Sequence, residues 1–349
     1  MTAPQIGILY EHPAWFQPLF DELDRRGLAF APIRADQLRF DPAANNSEFA
    51  LVVNRMSPSA YLRGHGRAIF AAQQYLGHLA RLGVPTINGL SAYTLELSKA
   101  RQLELLANLG LRAPATRVVN DPACIPDAAA ELVYPLIVKP NVGGSGALMR
   151  RVESQSELRE ACARGELDAT FEIDGTALVQ EYHPPRDGSI VRVEALDGEF
   201  LYAIRIHNDP SQGFNLCPAD ICQVPQAESS AGNETAESAF NLCVAEAASV
   251  PARKVAAEQP PTWAVDAVLR IMRAGGLDLG GVEYLESERD GELYFYDINA
   301  LSNFVADATR VVGFDPFVRL GDMIAARRAE AAKLARRLSH RSNRQNHRG

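Results

Sequence analysis

The first 90 residues alternate short apolar runs with longer amphipathic ones. The runs at 6–10, 50–53 and 84–88 have the length and composition of buried strands, and those at 16–26 and 68–82 have the apolar spacing of helices. Alternating strands and helices are typical of a parallel sheet with helical crossovers. The pattern therefore predicts an N-terminal α/β domain over residues 1–90.

Two later stretches have the pattern of β-hairpins built around Asp-Gly turns, and the first covers residues 190–206. A two-residue turn there would pair Arg192 with Ala203 and place Arg205 on the same face as Arg192. Two arginines on one face predict an anion between them. The alternative is that each arginine pairs with a nearby carboxylate such as Glu194.

The second hairpin is centred on Asp290. Glu283 lies seven residues before Asp290 and Asp297 lies seven after it, so the two carboxylates are predicted to face each other, with Asn299 two residues further on the same face. Buried carboxylates repel each other unless a cation neutralises them, and proteins hold Mg²⁺ beside a nucleotide with one or two carboxylates. The alternative is a solvated hairpin with ordinary surface acids.

Two lysines precede features that suit anionic ligands. Lys99 begins a predicted helix, where a cation opposes the helix dipole and would be explained by a facing anion. Lys139 follows a predicted strand at 135–138 and precedes a glycine-rich loop at 141–146, after which a second strand is predicted at 147–152. Glycines let backbone N–H groups approach phosphate, and some kinases and ligases cover triphosphates with such a loop. Flexible turns use the same residues.

Three more segments carry candidate chemistry. The strand at 177–182 becomes polar at its end, which suits the hinge of an adenine pocket where backbone groups and Glu181 meet base and ribose. Arg55 and Ser57 follow a strand at the sheet edge where ligands of open α/β sheets bind, although a capped loop is the favoured interpretation. The irregular segment 208–260 is typical of a lid or a substrate-selecting loop.

Composition narrows the class of protein. The 349-residue chain is 47% hydrophobic, enough for more than one domain with a buried core. Its five cysteines are odd in number and lack metal-ligand spacing, which predicts reduced thiols. We found neither an apolar leader nor a run of membrane-spanning length, so we expect a cytoplasmic protein without a membrane partner.

Charge is distributed unevenly along the chain. The net charge is −8, but from Ala325 onwards eight Lys or Arg face one acid, a balance of +7. A basic tail can bind nucleic acid or an acidic partner; the favoured interpretation is a frayed helix end, predicted as a disordered tail over residues 326–349. We therefore do not expect a nucleic-acid partner.

The order of these motifs resembles the ATP-grasp superfamily, and most of all its RimK-type branch of peptide and glutamate ligases. The motifs are Lys99 at a helix start, Lys139 before the glycine loop, VQEY, the arginine hairpin, GVEYL and YDINA. The resemblance spans residues 88–303. It implies an α/β (α+β) ATP-grasp fold behind an N-terminal parallel-sheet domain, with a central subdomain at 91–175 and a C-terminal one at 176–325 that carries the 208–260 insert.

The resemblance also implies a role for each motif. The lysines and the glycine loop would hold the ATP phosphates, and the VQEY strand would hold the adenine and ribose. The acidic hairpin would bind two Mg²⁺ ions, with Mn²⁺ as an alternative. The arginines would face the acyl phosphate region. The residues concerned are Lys99, Lys139, Gly143, Gly144, Ser145, Gly146, Gln180, Glu181, Tyr182, Glu283, Asp297, Asn299, Arg192 and Arg205.

Three positions depart from the family pattern. Asp297 stands where relatives usually have the longer Glu, Ile190-Val191 stand before Arg192 where RimK-like proteins carry an acid, and Ala-Leu-Ser follows Asn299 where relatives often continue into a glycine. The shorter Asp297 can still ligate Mg²⁺ with less reach. The last departure implies a different acceptor pocket.

The resulting hypothesis is an ATP-dependent ligase that joins a carboxylate to an amine through an acyl phosphate, with small-molecule or peptide substrates. One alternative is a modifier of a ribosomal peptide or protein side chain, and another is a nucleotide-binding regulatory protein without activity. A small-molecule kinase is disfavoured because no hydroxyl-activating acid is evident near the predicted Mg²⁺ residues. His183 and His207 are less favoured as catalytic bases, and a homo-oligomer is left open.

Overall fold

A computed structural model describes residues 5–144, 146–207 and 255–346 of the chain. Three sheets organise this part of the protein: a four-stranded N-terminal sheet, a four-stranded central sheet and a five-stranded C-terminal sheet. No helix among the described residues is long and apolar enough to cross a membrane.

The N-terminal sheet is parallel, as the alternating pattern predicts. Its strands are β1 (Gln5–Tyr10), β2 (Phe30–Arg34), β3 (Phe49–Asn54) and β4 (Thr86–Ile87), in the order β2-β1-β3-β4. Helices α1 (Gln17–Arg25) and α2 (Gly66–Arg81) pack against it through apolar faces. Strand β2 has no counterpart in the prediction, because Pro32 interrupts its apolar run, and an edge strand tolerates proline.

The central sheet is antiparallel. Its strands are β5 (Thr116–Val119), β6 (Leu136–Pro140), β7 (Arg150–Val152) and β8 (Ala177–Glu181), in the order β5-β8-β6-β7. Helices α3 (Leu90–Glu96) and α4 (Lys99–Asn108) precede it, and α5 (Ile125–Ala129) and α6 (Gln155–Ala163) contribute to its core.

Two boundaries near the central sheet differ from the prediction. Strand β8 pairs with both β5 and β6, so a subdomain boundary at 175/176 would divide this sheet. The strand after the glycine loop begins at Arg150 rather than at 147, because the preceding residues form a turn in which Gly146 and Leu148 have positive φ.

The C-terminal sheet contains both predicted hairpins. Its strands are β9 (Ser189–Leu196), β10 (Glu199–His207), β11 (Val255–Ala257), β12 (Leu279–Glu286) and β13 (Leu293–Asn299), in the order β11-β10-β9-β12-β13. Helix α7 (Thr262–Gly275) packs on one face, and α8 (Ala308–Val312) and α9 (Pro316–Asn346) add residues to the core on the other. Residues 208–254 of the predicted 208–260 insert lie outside the described residues.

Helix α9 continues through most of the segment that the sequence predicts as a disordered tail. It begins at Pro316 and ends at Asn346. The prediction is wrong for residues 326–346, because it gave more weight to the charge excess than to the helix propensity of the Ala, Arg, Glu and Lys residues that dominate this segment.

The pairing of β9 with β10 also differs from the prediction. A register shift between Phe200 and Tyr202 places Arg192 opposite Ile204 instead of Ala203. Because neighbouring residues of a strand point to opposite faces, Arg205 lies on the face opposite to Arg192. The predicted shared face of the two arginines is therefore wrong.

Gly281 allows a buried ion pair to lie directly over β12. A Cβ atom at this position would lie 2.6 Å from Arg192 Nε and 2.7 Å from Glu194 Oε1. Arg192 Nε donates to Glu194 Oε1 at 2.6 Å, and both side chains are buried. A methyl group at position 281 would separate these charges.

We predict that Gly281→Ala lowers the free energy of unfolding by about 2 kcal/mol or more, because it combines overpacking with disruption of a buried ion pair. Gly77→Ala, within helix α2, is the matched control. Its new Cβ would contact only Leu90 Cδ2, at 3.9 Å. The control should stabilise the protein by about 0.5–1 kcal/mol. Urea unfolding of both variants tests this, and equal effects would contradict the close approach at Gly281.

Candidate nucleotide and metal site

One cavity is lined by residues of the N-terminal part of the chain, the central sheet and the C-terminal sheet. The N-terminal part contributes Ser57 and Ser59, the central sheet Lys139, and the acidic hairpin Glu283 and Asp297. The cavity thus brings together the lysine, the glycine loop and the acids that the sequence singles out.

The acidic hairpin has the predicted pairing at its two acids, but its register is not continuous, because a shift between Glu283 and Tyr284 pairs Tyr284 with Phe295. Glu283 of β12 is paired directly with Asp297 of β13. Tyr296 Oη donates to Glu283 Oε2 at 2.8 Å, and Asn299 Nδ2 donates to Asp297 Oδ2 at 3.1 Å. Burial and the neighbouring charge of Asp297 raise the pKa of Glu283, which is only 5% exposed. The two carboxylates therefore repel each other in an environment with little solvent.

Two cations neutralise these acids. Lys99, at the start of α4, places its Nζ in contact with Asp297 Oδ1, so the anion expected opposite this lysine is, in the protein alone, a carboxylate. Burial opposes ionisation of Asp297, but the Lys99 ammonium outweighs it and leaves the pKa of Asp297 below its usual value. Arg192 Nη1 donates to Glu283 Oε1 at 3.1 Å.

Lys139 is the most deeply buried cation of the cavity, at 4% exposure. Its Nζ donates to Gln180 Oε1 at 2.8 Å, and Gln180 Nε2 donates to Thr116 Oγ1 at 2.8 Å. Burial and the positive charge of Lys99 lower the pKa of Lys139 to about 7. The Lys139 side chain thus loses its proton near neutral pH, and an anionic ligand would stabilise its charged form.

Gly143, Gly144 and Gly146 line the cavity. A Cβ at Gly143 would lie 3.2 Å from Pro140 Cγ, and one at Gly144 would lie 3.4 Å from Ser59 Cβ. The glycine loop therefore has little room for a side chain beside Pro140, and it lies at van der Waals distance from Ser59 of the N-terminal domain. Ser145 lies outside the described residues.

The end of β8 lines another wall. Tyr182 N donates to Pro135 O at 2.9 Å, and Glu181 Oε1 accepts from Val133 N at 2.9 Å. His183 Nδ1 lies 3.0 Å from Ser287 Oγ, and burial lowers the pKa of His183. The predicted hinge residues Gln180, Glu181 and Tyr182 thus lie along the cavity.

The arginine pair is not brought together. Arg205 Nε donates to Glu258 Oε2 at 2.6 Å and its Nη1 donates to Ser189 Oγ at 2.9 Å, while Arg192 pairs with Glu194. The alternative of separate carboxylate partners is therefore correct, and the predicted anion between the arginines is wrong. Only Arg192 lines the cavity.

Several cavity residues were not predicted. Glu96 is buried beside the acids; burial raises the pKa of this carboxyl to about 7, and it accepts from Ala300 N. An acid inside the apolar helix YTLEL was the available signal. Trp15 and Phe304 also line the cavity, and nothing in their local sequence distinguishes them from core residues.

The donor set fits a hard cation. Glu283, Asp297 and Asn299 supply carboxylate and amide oxygens on paired strands, and Mg²⁺ takes few protein ligands because it keeps water and phosphate oxygens. Within the described ranges, no group of three or more His, Cys, Asp or Glu side chains is arranged for a metal.

Comparison with known proteins was made by sequence and by structure. No protein-family model matches the chain. The D-alanine–D-alanine ligase of Hydrogenovibrio crunogenus is 31% identical over 132 residues, which are 38% of this chain and 40% of that protein. The chain spans between 26% and 51% of the lengths of eight curated relatives that it matches, each a D-alanine–D-alanine ligase.

Solved structures match over nearly the whole chain. The ATP-grasp ligase PsnB, complexed with a phosphomimetic variant of its minimal precursor, Mg and ADP, has a TM-score of 0.62 and 20% identity and covers 93% of this chain and 99% of its own. The RimK-domain ATP-grasp protein of Sphaerobacter thermophilus has a TM-score of 0.62 and 18% identity over 91% of this chain and 98% of its own. The chain has the ATP-grasp fold.

Proposed function

We propose that this protein is an ATP-dependent ligase that joins a carboxylate to an amine, with release of ADP and phosphate. The observation that carries the proposal is the single cavity in which the opposed Glu283 and Asp297 share space with Lys99, Lys139 and the glycine loop. Paired acids beside buried lysines are a charge arrangement suited to a metal-bound polyphosphate.

The lysines, the glycine loop, the acidic hairpin and Arg192 each have a role in this proposal. Lys99 and Lys139 bind phosphate oxygens, and the backbone N–H groups of the glycine loop cover them. Glu283, Asp297 and Asn299 would hold one or two Mg²⁺ ions, or Mn²⁺, and the metal when bound would supply charge neutralisation. Arg192 positions Glu283 through their 3.1 Å hydrogen bond.

The reaction consists of two displacements. An oxygen of the substrate carboxylate attacks the γ-phosphorus, the bond from that phosphorus to the β–γ bridging oxygen breaks, and ADP leaves with the electron pair. The amine nitrogen then attacks the acyl carbon, phosphate leaves, and the nitrogen loses its proton to solvent. Such chemistry depends mostly on positioning and on neutralised phosphate charge, so no side-chain nucleophile is needed.

The substrates are small molecules or peptides with these two groups. The cavity lining includes the apolar side chains of Trp15, Leu285, Leu301 and Phe304 and the hydroxyls of Ser57 and Ser59, which suits a partly apolar acid. A peptide substrate is the second candidate, since PsnB is complexed with a precursor peptide. The free thiols of Cys124 and Cys162 agree with the cytoplasmic location that we propose.

We predict that Asp297→Asn lowers the rate of ADP release by at least about 100-fold, equivalent to ~2.7 kcal/mol of transition-state stabilisation, because a neutral amide replaces a charged metal ligand. ADP and phosphate are measured with ATP, Mg²⁺ and a panel of acids and amines that begins with D-alanine. Asp266→Asn, an exposed position on α7, is the control and should retain wild-type turnover.

Other outcomes of that assay favour the competing functions. ADP binding without turnover over a broad panel would favour a regulatory protein. A phosphorylated product without condensation would favour a kinase. Turnover only with peptides would favour the second candidate. A wild type that does not bind ADP in the presence of Mg²⁺ would refute the proposal.

We predict that nucleotide affinity decreases as the pH rises above 7. The pKa of Lys139 is lowered to about 7, so its proton is lost as the pH rises through that value, whereas phosphate stabilises the charged form. Binding at higher pH must therefore take up a proton, and the affinity for ADP should fall by up to about tenfold per pH unit between pH 7.5 and 9.

Lys139→Arg provides the control, because a guanidinium stays charged over this range. Calorimetric titration with ADP in buffers of different ionisation enthalpy should detect proton uptake by the wild type and not by this variant. Equal pH slopes in the two proteins would contradict the assignment of the titrating group to Lys139.

A further inference from the structure

Strand β13 carries Asp297 and Asn299 at the edge of the C-terminal sheet. It pairs with β12 on one side and, among the residues that the structure describes, is the last strand in the order of that sheet. An edge strand leaves alternate backbone N–H and C=O groups without a neighbouring strand. Ile298, between the two predicted metal ligands, has both of its backbone groups facing this open edge.

Gln102 occupies the place of a neighbouring strand at this point. Its Oε1 accepts from Ile298 N at 3.1 Å, and its Nε2 donates to Ile298 O at 2.8 Å. The same Nε2 donates to Leu95 O at 3.2 Å, and Gln102 is 2% exposed. A single side-chain amide thus makes both bonds that a strand residue would make.

The next edge-facing residue is held in the same way. Glu96 accepts from Ala300 N, and Asn88 Nδ2 donates to Ala300 O. Gln102 lies three residues after Lys99 on α4, and Lys99 contacts Asp297. Helix α4 therefore contacts the carboxylate of one metal ligand and the backbone between both ligands.

We propose that Gln102 is a positioning residue of the metal and nucleotide site: it fixes the peptide groups on either side of Ile298 and thereby the directions of the Asp297 and Asn299 side chains. This inference rests on the proposed function. Only a carboxamide of this length supplies an acceptor and a donor without adding charge. Glutamate has no donor when ionised, and asparagine is one methylene shorter.

The test measures ADP affinity over a series of Mg²⁺ concentrations. Gln102→Met keeps the length and loses both bonds to Ile298; Gln102→Asn keeps the amide and cannot span both backbone groups. We expect the Mg²⁺ concentration for half-maximal ADP affinity to rise about tenfold in Gln102→Met, and by less in Gln102→Asn. The affinity for ADP without Mg²⁺ should stay within about twofold, and the Ile298 amide should exchange hydrogen faster.

Leu106→Ala is the matched control, because Leu106 is fully buried on the same helix and makes no bond to Ile298. It should lower the melting temperature and leave the Mg²⁺ requirement unchanged. If the Gln102 variants fold with an unchanged Mg²⁺ requirement, or if Leu106→Ala raises it equally, Gln102 is only structural and the inference fails. If Gln102→Met does not fold, Gln102→Asn decides the question alone. A wild type without Mg²⁺-dependent ADP binding would instead refute the proposed function.

Discussion

The carboxylates of Glu283 and Asp297 lie on directly paired residues, and the surrounding residues compensate their negative charge. Two carboxylates on paired strands, largely removed from water, repel each other unless cations lie beside them. Lys99 contacts one acid and Arg192 the other. Arg192 is in turn paired with Glu194, and Gly281 leaves room for this pair. The position of α4, the sequence of β9 and a glycine of β12 thus serve the same electrostatic requirement.

Buried amides join the three parts of the chain around these acids. Asn88, at the end of the N-terminal sheet, accepts from Asp278 N and Leu279 N through Oδ1 and donates to Leu279 O through Nδ2. Gln102 makes a comparable bridge from α4 to β13, whereas Gln180 holds Lys139 within the central sheet. Neutral amides provide donors and acceptors without further charge, which suits a region where the charges are already balanced.

Local sequence was sufficient for features that depend on strand period and turns. The parallel N-terminal sheet follows from the alternating runs. The facing of Glu283 and Asp297 depends on more than the turn and a period of two, because a register shift between Glu283 and Tyr284 moves Glu283 from Tyr296 to Asp297. The register of Arg192 could not be predicted, because the irregularity after Phe200 has no local signal. Gln102 was not predicted for another reason. Its partner Ile298 is 196 residues away along the chain, and the sequence of a helix does not show whether a glutamine is buried or exposed.

The central sheet begins and ends on neighbouring strands. Thr116, the first residue of β5, is paired with Gln180, near the end of β8, so the chain enters and leaves this sheet at adjacent points. The two chain segments that connect this sheet to the rest of the protein therefore lie side by side. A rotation of this sheet about these connections would carry Lys139 and the glycine loop away from Lys99 and the two acids, but it would first have to break the hydrogen bonds that Asn141 accepts from Lys99 N and Ala100 N.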